Sequence, residues 1–122
     1  MRNMSISMTT EAVRNHSKTV TRRLGWWNLK PGTILQAVEK AQGLKRGEHV
    51  KPICLIRVTS VFREQVAEVL YHSDREKTRE GFPGMTKDGF ATMFCKANRC
   101  LPTAYVNRIA FEYVEPSERR AT

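Results

Sequence analysis

The longest strand-like segment of the chain lies between residues 52 and 62 and is apolar on both of its faces. A strand with one face in water alternates apolar and polar residues, whereas a strand covered on both faces carries an almost continuous apolar run. The apolar residues of this segment are Ile53, Cys54, Leu55, Ile56, Val58 and Val61. The pattern therefore predicts a strand in a buried sheet or in the wall of a barrel.

Shorter strand-like segments stand on both sides of this run, and the helical segments lie near the two ends of the chain. We predict strands at 5–8, 18–23, 33–38 and 106–114, with a hairpin loop at 42–48. Because strands and helices do not alternate as in βαβ units, we predict an α+β fold. Its form is an antiparallel β-barrel with two or three flanking helices.

Two helices are expected from their capping residues and apolar spacing. A short helix is predicted to begin at Thr9 or Thr10, and a longer helix from Lys87 to about Ala97, with Thr86 as its N-cap. The apolar residues of the longer helix recur with the spacing of one buried face and predict core packing. They are Phe90, Met93, Phe94 and Ala97.

Chain length and composition limit the class of protein. The 122 residues suffice for one core, so we assign residues 1–116 to a single domain and residues 117–122 to a flexible tail. The chain has no apolar run of membrane-spanning length and no secretory signal, which predicts a cytoplasmic protein. Three cysteines and three scattered histidines lack the spacing of a metal site. We therefore expect reduced thiols, no metal and no cofactor.

The positive charge is confined to the first half of the chain. Residues 1–63 carry twelve Lys and Arg against three Asp and Glu, whereas residues 64–122 carry nine of each, so the net charge of +9 belongs to the first half. A concentrated basic excess predicts a partner that carries phosphate, such as RNA or single-stranded nucleic acid. A solvated basic surface that only aids solubility is the alternative.

Residues 16–23, which read HSKTVTRR, and residues 29–35, which read LKPGTIL, resemble the ASCH family of PUA-like domains. The signature of that family is glycine, any residue and lysine, with an arginine five positions after the lysine, followed by a K-P-G-D-x-L turn and strand. Lys18 and Arg23 fit this pattern. His16 stands in place of the glycine, so a residue with a Cβ must make the turn. Thr33 stands where aspartate is common.

Within this family, small bacterial members similar to N4-acetylcytidine amidohydrolases read K-T-I-T-I-R at the same point. The resemblance implies that Lys18, Thr21 and Glu80 are catalytic residues. The chemistry requires a neutral lysine amine to activate the threonine hydroxyl, and like charge on Arg22 and Arg23 together with burial would lower the lysine pKa. In a flat strand, however, residues 18 and 21 would point to opposite faces, so they converge only if the strand entrance is bent.

The same region also predicts nucleic-acid binding without chemistry. An Arg side chain can donate two hydrogen bonds to the oxygens of one phosphate, and exposed tryptophans stack on bases. The predicted nucleic-acid-binding residues are Lys18, Arg22, Arg23, Trp26, Trp27, Lys30 and Arg108. The alternatives are that at least one tryptophan belongs to the core, that Arg108 lies on the outer surface, and that Glu80 is a helix-end charge.

Three functional hypotheses remain open from the sequence. The first is a module that binds RNA or single-stranded nucleic acid in a basic cleft. The second is a hydrolase, acting either on a modified nucleoside or, as a ribonuclease, on RNA. The third is a small mobile-element protein that binds a host protein, since K-T-V-T-R-R is similar to phage-encoded ASCH proteins. The oligomeric state is left open.

Overall fold

A computed structural model describes residues 1–40, 44–115 and 117, and within them an α+β fold. The strands are β1 (Asn3–Ser5), β2 (Val20–Arg23), β3 (Ile34–Val38), β4 (Pro52–Gln65) and β5 (Tyr105–Tyr113). The α-helices are α1 (Thr10–Arg14), α2 (Glu76–Arg79) and α3 (Lys87–Asn98), and a 3-10 helix covers Val66–Tyr71. Both predicted helices and four of the five predicted strands are therefore present with shifted ends. The strand predicted at 5–8 instead lies at Asn3–Ser5 and shares only Ser5 with the prediction.

The five strands form one mixed sheet in the order β1-β3-β4-β5-β2. The pair β1 and β3 is parallel, while the other three pairs are antiparallel. The predicted antiparallel barrel is therefore wrong in two respects, because one pair is parallel and the sheet of the described residues is not closed. The edge strands are only three and four residues long, and a side chain bridges between them. Arg23 Nη2 donates to the Ser5 carbonyl oxygen at 2.6 Å.

Strand β4 organises the sheet because it spans 14 residues and pairs with a different neighbour along each part of its length. Its first half pairs with β3 and its second half continues along β5, with a register shift between Val58 and Ser60. The predicted strand at 52–62 is confirmed and continues to Gln65. The extension carries Arg63 and Glu64 beyond the main core, toward the ends of β5 and β2.

Two hydrophobic clusters lie on opposite faces of the sheet. The larger one includes Met4, Leu35, Ile56, Ile109 and Phe111. The smaller one joins the 3-10 helix and α3 to β5 through Val66, Val69, Phe90, Phe94 and Val106. The buried apolar residues of β4, Ile56 and Val58, belong to the larger cluster, and Ile53 and Leu55 are only half-buried. Burial of β4 on both faces, which the apolar run predicted, is therefore incomplete.

Helix α3 agrees with the sequence expectation at both ends. Thr86 accepts a hydrogen bond from the Gly89 backbone N–H at 2.9 Å, as an N-cap does, and Arg99 ends the helix in the left-handed conformation. Phe90 and Phe94 are buried as predicted and Met93 is half-buried, whereas Ala97 is exposed and borders a cavity. The apolar stripe of α3 therefore contributes both to the core and to a cavity wall.

Two sequence predictions fall partly outside the described residues. Residues 42 and 43 of the predicted loop at 42–48, and residues 118–122 of the predicted tail at 117–122, lie outside the described residues. Among the described residues, no helix is long and apolar enough to cross a membrane.

Candidate functional site

A cavity of about 270 Å³ lies at the open side of the sheet, between the end of β1 and strand β2. Its polar wall is formed by Lys18, Thr21, Arg23 and Glu80. Its apolar wall is formed by Phe82, Phe90, Met93 and Phe94. Because β1 and β2 are edge strands that do not pair with each other, the gap between them opens into this cavity.

The three residues predicted to be catalytic line this cavity together. Lys18 and Thr21 are 2% and 3% exposed, and Glu80 is 3% exposed. Lys18 and Thr21 do not lie on one flat strand, because β2 begins only at Val20. The chain enters the strand through a bend at His16, which has a φ of 63°. The bend removes the geometric objection raised by strand periodicity.

The backbone position of Lys18 is supported from β5. The Tyr113 hydroxyl donates to the Lys18 carbonyl oxygen at 2.6 Å. The His16 ring stacks on the Tyr113 ring with a centroid distance of 4.0 Å and an angle of 11°. His16 therefore makes the turn where the family signature has glycine, and its stacking offsets part of the cost of a left-handed residue with a Cβ.

The Lys18 amine lies against Glu80. Nζ donates to the Glu80 carbonyl oxygen at 2.5 Å and lies 3.5 Å from Glu80 Oε2. Burial lowers the pKa of Lys18 from 10.5 to about 8; Arg23 and Arg22 act in the same direction, while Glu80 opposes them. The direction agrees with the sequence expectation, although burial and not like charge is the largest cause. Lys18 is therefore a base that is partly neutral near neutral pH.

Glu80 is held in place by the turn that follows α2. The next residue, Gly81, has a φ of +100°, and a Cβ at this position would lie 2.7 Å from Thr9 Cγ2. A glycine is required here for two reasons, the left-handed backbone and the close approach to Thr9. This contact fixes the end of α2 against the segment that follows β1, so that Glu80 faces Lys18.

Arg22 occupies the centre of a buried cluster of carboxylates. Its Nε lies 2.9 Å from Glu64, its Nη2 lies 2.6 Å from Glu76, and its Nη1 lies 2.9 Å from Glu80. The Arg22 side chain has no exposed surface. The prediction that Arg22 binds phosphate directly does not fit this geometry, because the guanidinium already holds three carboxylates. Its observed contact with Glu80 makes it a positioning residue for that carboxylate.

The cluster continues from Glu76 to Arg108 and His72. Arg108 donates to Glu76 through Nε at 2.5 Å and Nη2 at 3.0 Å, and His72 Nε2 lies 2.9 Å from Glu64 Oε2. Burial alone would raise the pKa of Glu76, but the hydrogen bonds and charges of Arg108 and Arg22 outweigh it and hold the pKa at about 2. Arg108 is therefore also engaged by a carboxylate and not free to meet a ligand.

Sequence reasoning missed Glu64, Glu76 and His72. One signal was available, because Glu76 and Glu80 are four residues apart and would share one face of a helix. Two carboxylates on a helix face that packs against the protein require cationic partners. Arg22 on β2 and Arg108 on β5 are these partners. Among the described residues, no group of three or more His, Cys, Asp and Glu side chains is arranged to hold a metal ion.

Arg23 differs from Arg22 in its partners. It borders the cavity, donates through Nε to Thr21 Oγ1 at 3.2 Å, and donates through Nη2 to the Ser5 carbonyl oxygen. Both acceptors are neutral oxygens, and burial lowers the pKa of Arg23. Arg23 therefore places a positive charge directly beside the Thr21 hydroxyl.

The remaining predicted binding residues lie outside the cavity. Trp26 packs against the larger hydrophobic cluster, with the Arg2 guanidinium 4.0 Å from its ring centroid. Trp27 is 47% exposed, and Lys30 is exposed in the turn before β3. The sequence prediction of one basic cleft therefore divides into a small cavity and a separate outer surface.

The charges in and beneath the cavity nearly cancel. Four cations, Lys18, Arg22, Arg23 and Arg108, face three carboxylates, Glu64, Glu76 and Glu80. The carboxylates neutralise most of the positive charge that the sequence places here. A cavity of this size, with one apolar wall and balanced charge, favours a small and largely uncharged ligand.

Solved structures with the same fold include an ASCH domain. Protein EF3133 from Enterococcus faecalis V583, described by the family model DUF984, has a TM-score of 0.62 at 16% identity over 93% of this chain and 72% of its own. The ASCH domain from Lactobacillus crispatus JV V101 has a TM-score of 0.57 at 16% identity over 87% of this chain and 70% of its own. Hypothetical protein PH0355 has a TM-score of 0.58 at 16% identity over 93% of this chain and 96% of its own.

No protein-family model matches the sequence, and no curated protein matches it. The likeness to known proteins is therefore one of fold. It agrees with the resemblance carried by Lys18, Arg23 and the turn before β3, and the chain has the fold of an ASCH domain.

Proposed function

We propose that the cavity binds the base of one modified nucleoside and that Lys18, Thr21 and Glu80 hydrolyse an amide bond on that base. One observation carries the proposal: these three residues, drawn from two distant parts of the chain, meet in the same wall of a cavity of about 270 Å³. The reaction is the one implied by the resemblance to N4-acetylcytidine amidohydrolases.

The cavity suits a nucleoside better than a phosphate group. Aromatic and methionine side chains form one wall, which can pack against a planar base, while the opposite wall supplies hydrogen-bonding groups. The near balance of charge leaves little net attraction for a phosphate. The volume corresponds to one base or nucleoside and not to a length of polymer.

The geometry supports a sequence of proton transfers in which every proton has a place. Neutral Lys18 takes the hydroxyl proton of Thr21, and the Thr21 oxygen attacks the acyl carbonyl carbon. As the C–N bond breaks, the Lys18 ammonium returns its proton to the departing nitrogen. Water then attacks the acyl-threonine ester while neutral Lys18 takes one of its protons. Lys18 returns that proton to the Thr21 oxygen as the ester bond breaks, which releases the carboxylic acid and restores the hydroxyl.

Arg23 and Glu80 support this sequence from either side. The Arg23 guanidinium, which donates to Thr21 Oγ1, stabilises negative charge on that oxygen as its proton leaves. Glu80 holds the Lys18 amine through its carbonyl oxygen and is itself fixed by Arg22. Glu80 therefore orients the base, while the proton that reaches the leaving nitrogen comes from Lys18.

The test is the conversion of N4-acetylcytidine to cytidine by the purified protein. We expect turnover by the wild type, a loss of at least about a hundredfold in Thr21→Ala and Lys18→Ala, and a smaller loss in Glu80→Gln. Thr19→Ala is the matched control, since Thr19 lies two residues away and outside the cavity lining. Equal turnover by Thr21→Ala and the wild type would contradict the proposal.

A second candidate is a binding module for RNA or single-stranded nucleic acid, in which the cavity admits one base without reacting. The net charge of +9, all of it in residues 1–63, favours this function. Binding of this kind should weaken steeply with salt and survive Thr21→Ala, whereas hydrolysis should not survive it. Measuring RNA length after incubation distinguishes strand cleavage by a ribonuclease from either function.

A further inference from the structure

Three exposed side chains form a surface at the far end of β4 and β5, which we call the outer aromatic surface. It consists of Trp27, Arg63 and Tyr105, with Trp27 47% and Tyr105 55% exposed. The Arg63 guanidinium lies close to both rings, 4.7 Å from the Trp27 ring centroid and 5.9 Å from that of Tyr105. Two large aromatic rings and a guanidinium are thus held side by side in solvent.

The outer aromatic surface is connected to the cavity through the sheet. Asn107 on β5 is paired with Arg23 on one side and with Arg63 on the other. Residues paired across strands point to the same face, so these three side chains form a row over about 10 Å, two strand spacings. One end of the row is Arg23 at the cavity, and the other end is Arg63 beside the Trp27 and Tyr105 rings.

Asn107 also fixes the loop that carries Trp27. Its side-chain amide donates to the Gly25 carbonyl oxygen at 2.9 Å, and Asn107 is only 4% exposed. The loop is therefore tied to the same row of residues that leads to the cavity. Trp27 is held over the sheet face by this buried hydrogen bond and by its contact with Arg63.

The chemistry of the surface fits single-stranded nucleic acid. Proteins that bind single strands combine aromatic rings, on which bases stack, with basic side chains that follow the backbone. In this arrangement the rings of Trp27 and Tyr105 are exposed, Arg63 is the basic side chain beside them, and Arg23 lies two strands away at the cavity. The remaining positive charge of residues 1–63 adds an attraction for a polyanion that a free nucleoside would not use.

We infer that the outer aromatic surface binds the nucleotides next to the one whose base enters the cavity, so that a single-stranded polynucleotide binds more tightly than a free nucleoside. The inference rests on the proposed function, because it takes the cavity as the site of one base. It assigns Arg63 and Tyr105, neither of which the sequence pattern singled out, to ligand binding.

The test measures the affinity of a fluorescently labelled oligocytidine of about ten nucleotides by fluorescence anisotropy at low salt. Stacking of one base corresponds to about a five- to hundredfold change in the dissociation constant. We expect weakening in this range for Trp27→Ala and for Tyr105→Ala. Tyr71→Ala is the matched control, since Tyr71 is 89% exposed on the 3-10 helix, and it should bind as the wild type does.

Turnover of free N4-acetylcytidine by the wild type separates the two proposals. If free nucleoside is hydrolysed but the oligonucleotide does not bind at micromolar protein, or binds equally to wild type and Trp27→Ala, the inference is overturned while the proposed function stands. If the oligonucleotide binds through Trp27 and Tyr105 but no nucleoside is hydrolysed, the surface is confirmed and the hydrolytic function fails. Circular dichroism spectra of the variants check that each is folded.

Discussion

The protonation of Lys18 provides the most direct check of the site, and replacing Glu80 by glutamine perturbs it. Burial lowers the Lys18 pKa to about 8, and the negative charge of Glu80 is the main influence that opposes this shift. Glutamine keeps the shape of the side chain, removes its negative charge and replaces one of the two oxygens that face Lys18 and Arg22 by an NH2 group. We therefore expect the Lys18 pKa to fall below 8 in Glu80→Gln.

The magnitude follows from the position of the charge. With a pKa of about 8, about one amine in ten is neutral at pH 7, against about one in three thousand at the ordinary value of 10.5. Glu80 Oε2 lies 3.5 Å from Nζ, where an ion pair at an effective dielectric constant of about 20 is worth at most about 4–5 kcal/mol. Loss of only ~1.4 kcal/mol of this attraction would lower the pKa by one and make half of the amines neutral at pH 7.

The assay is NMR titration of protein labelled at lysine Cε, with the Lys18 signal assigned by its loss in Lys18→Ala. Glu112→Gln is the matched control, because Glu112 is half exposed and pairs with Arg57 on the sheet; its Lys18 should still titrate near 8. A wild-type Lys18 that titrates near 10.5, or a Lys18 pKa that rises in Glu80→Gln, would refute the account of the site.

The same pKa has a consequence for stability. Lys18 releases its proton at a lower pH in the folded protein than in the unfolded chain, so the unfolded state binds more protons between pH 8 and 10.5. Stability should therefore rise with pH through this window, by at most about 3 kcal/mol from this group. Urea denaturation at a series of pH values measures it, and Lys18→Met should show a smaller rise.

Two further predictions concern residues that hold the site in place. Gly81→Ala should destabilise the protein by about 1–3 kcal/mol in urea denaturation, because of its positive φ and the contact with Thr9, whereas Gly84→Ala, with open space around it, should change stability little. Tyr113→Phe removes the hydrogen bond to the Lys18 carbonyl and should cost about 1 kcal/mol of stability. It should also lower the turnover of N4-acetylcytidine, and unchanged turnover would show that Tyr113 does not position Lys18.

Much of the fold was accessible from local patterns. The continuous apolar run predicted β4, and the combination of Thr86 with the apolar spacing after it predicted α3 with its N-cap. These elements are determined by residues close together in the chain, so their patterns are visible in sequence. The predicted end of β4 at residue 62 was too early because the next three residues, Arg63, Glu64 and Gln65, are polar, although Glu64 is buried against Arg22.

Whether the sheet closes into a barrel could not be predicted from local sequence patterns. The edge strands are three and four residues long, and β1 pairs in parallel with a strand about thirty residues away. Nothing local distinguishes a short edge strand that closes a barrel from one that leaves a gap. Here the Arg23 side chain spans the gap to Ser5, and the gap itself becomes the cavity.

The net charge of the chain has a different meaning once the buried cluster is known. Arg22 and Arg108 count toward the positive charge of the sequence, yet both are held by carboxylates of the second half, Glu76 above all. Removing one member of such a cluster leaves an uncompensated buried charge, which lowers the free energy of unfolding by about 3–5 kcal/mol. Arg22 and Arg108 therefore stabilise the fold and are not available to bind a ligand. Among the described residues, Arg23 at the cavity and Arg63 beside Trp27 form no ion pair with a carboxylate, so they are better placed than Arg22 and Arg108 to bind a polyanion. The cavity can then select a base by shape and hydrogen bonding, while attraction to a strand arises outside it.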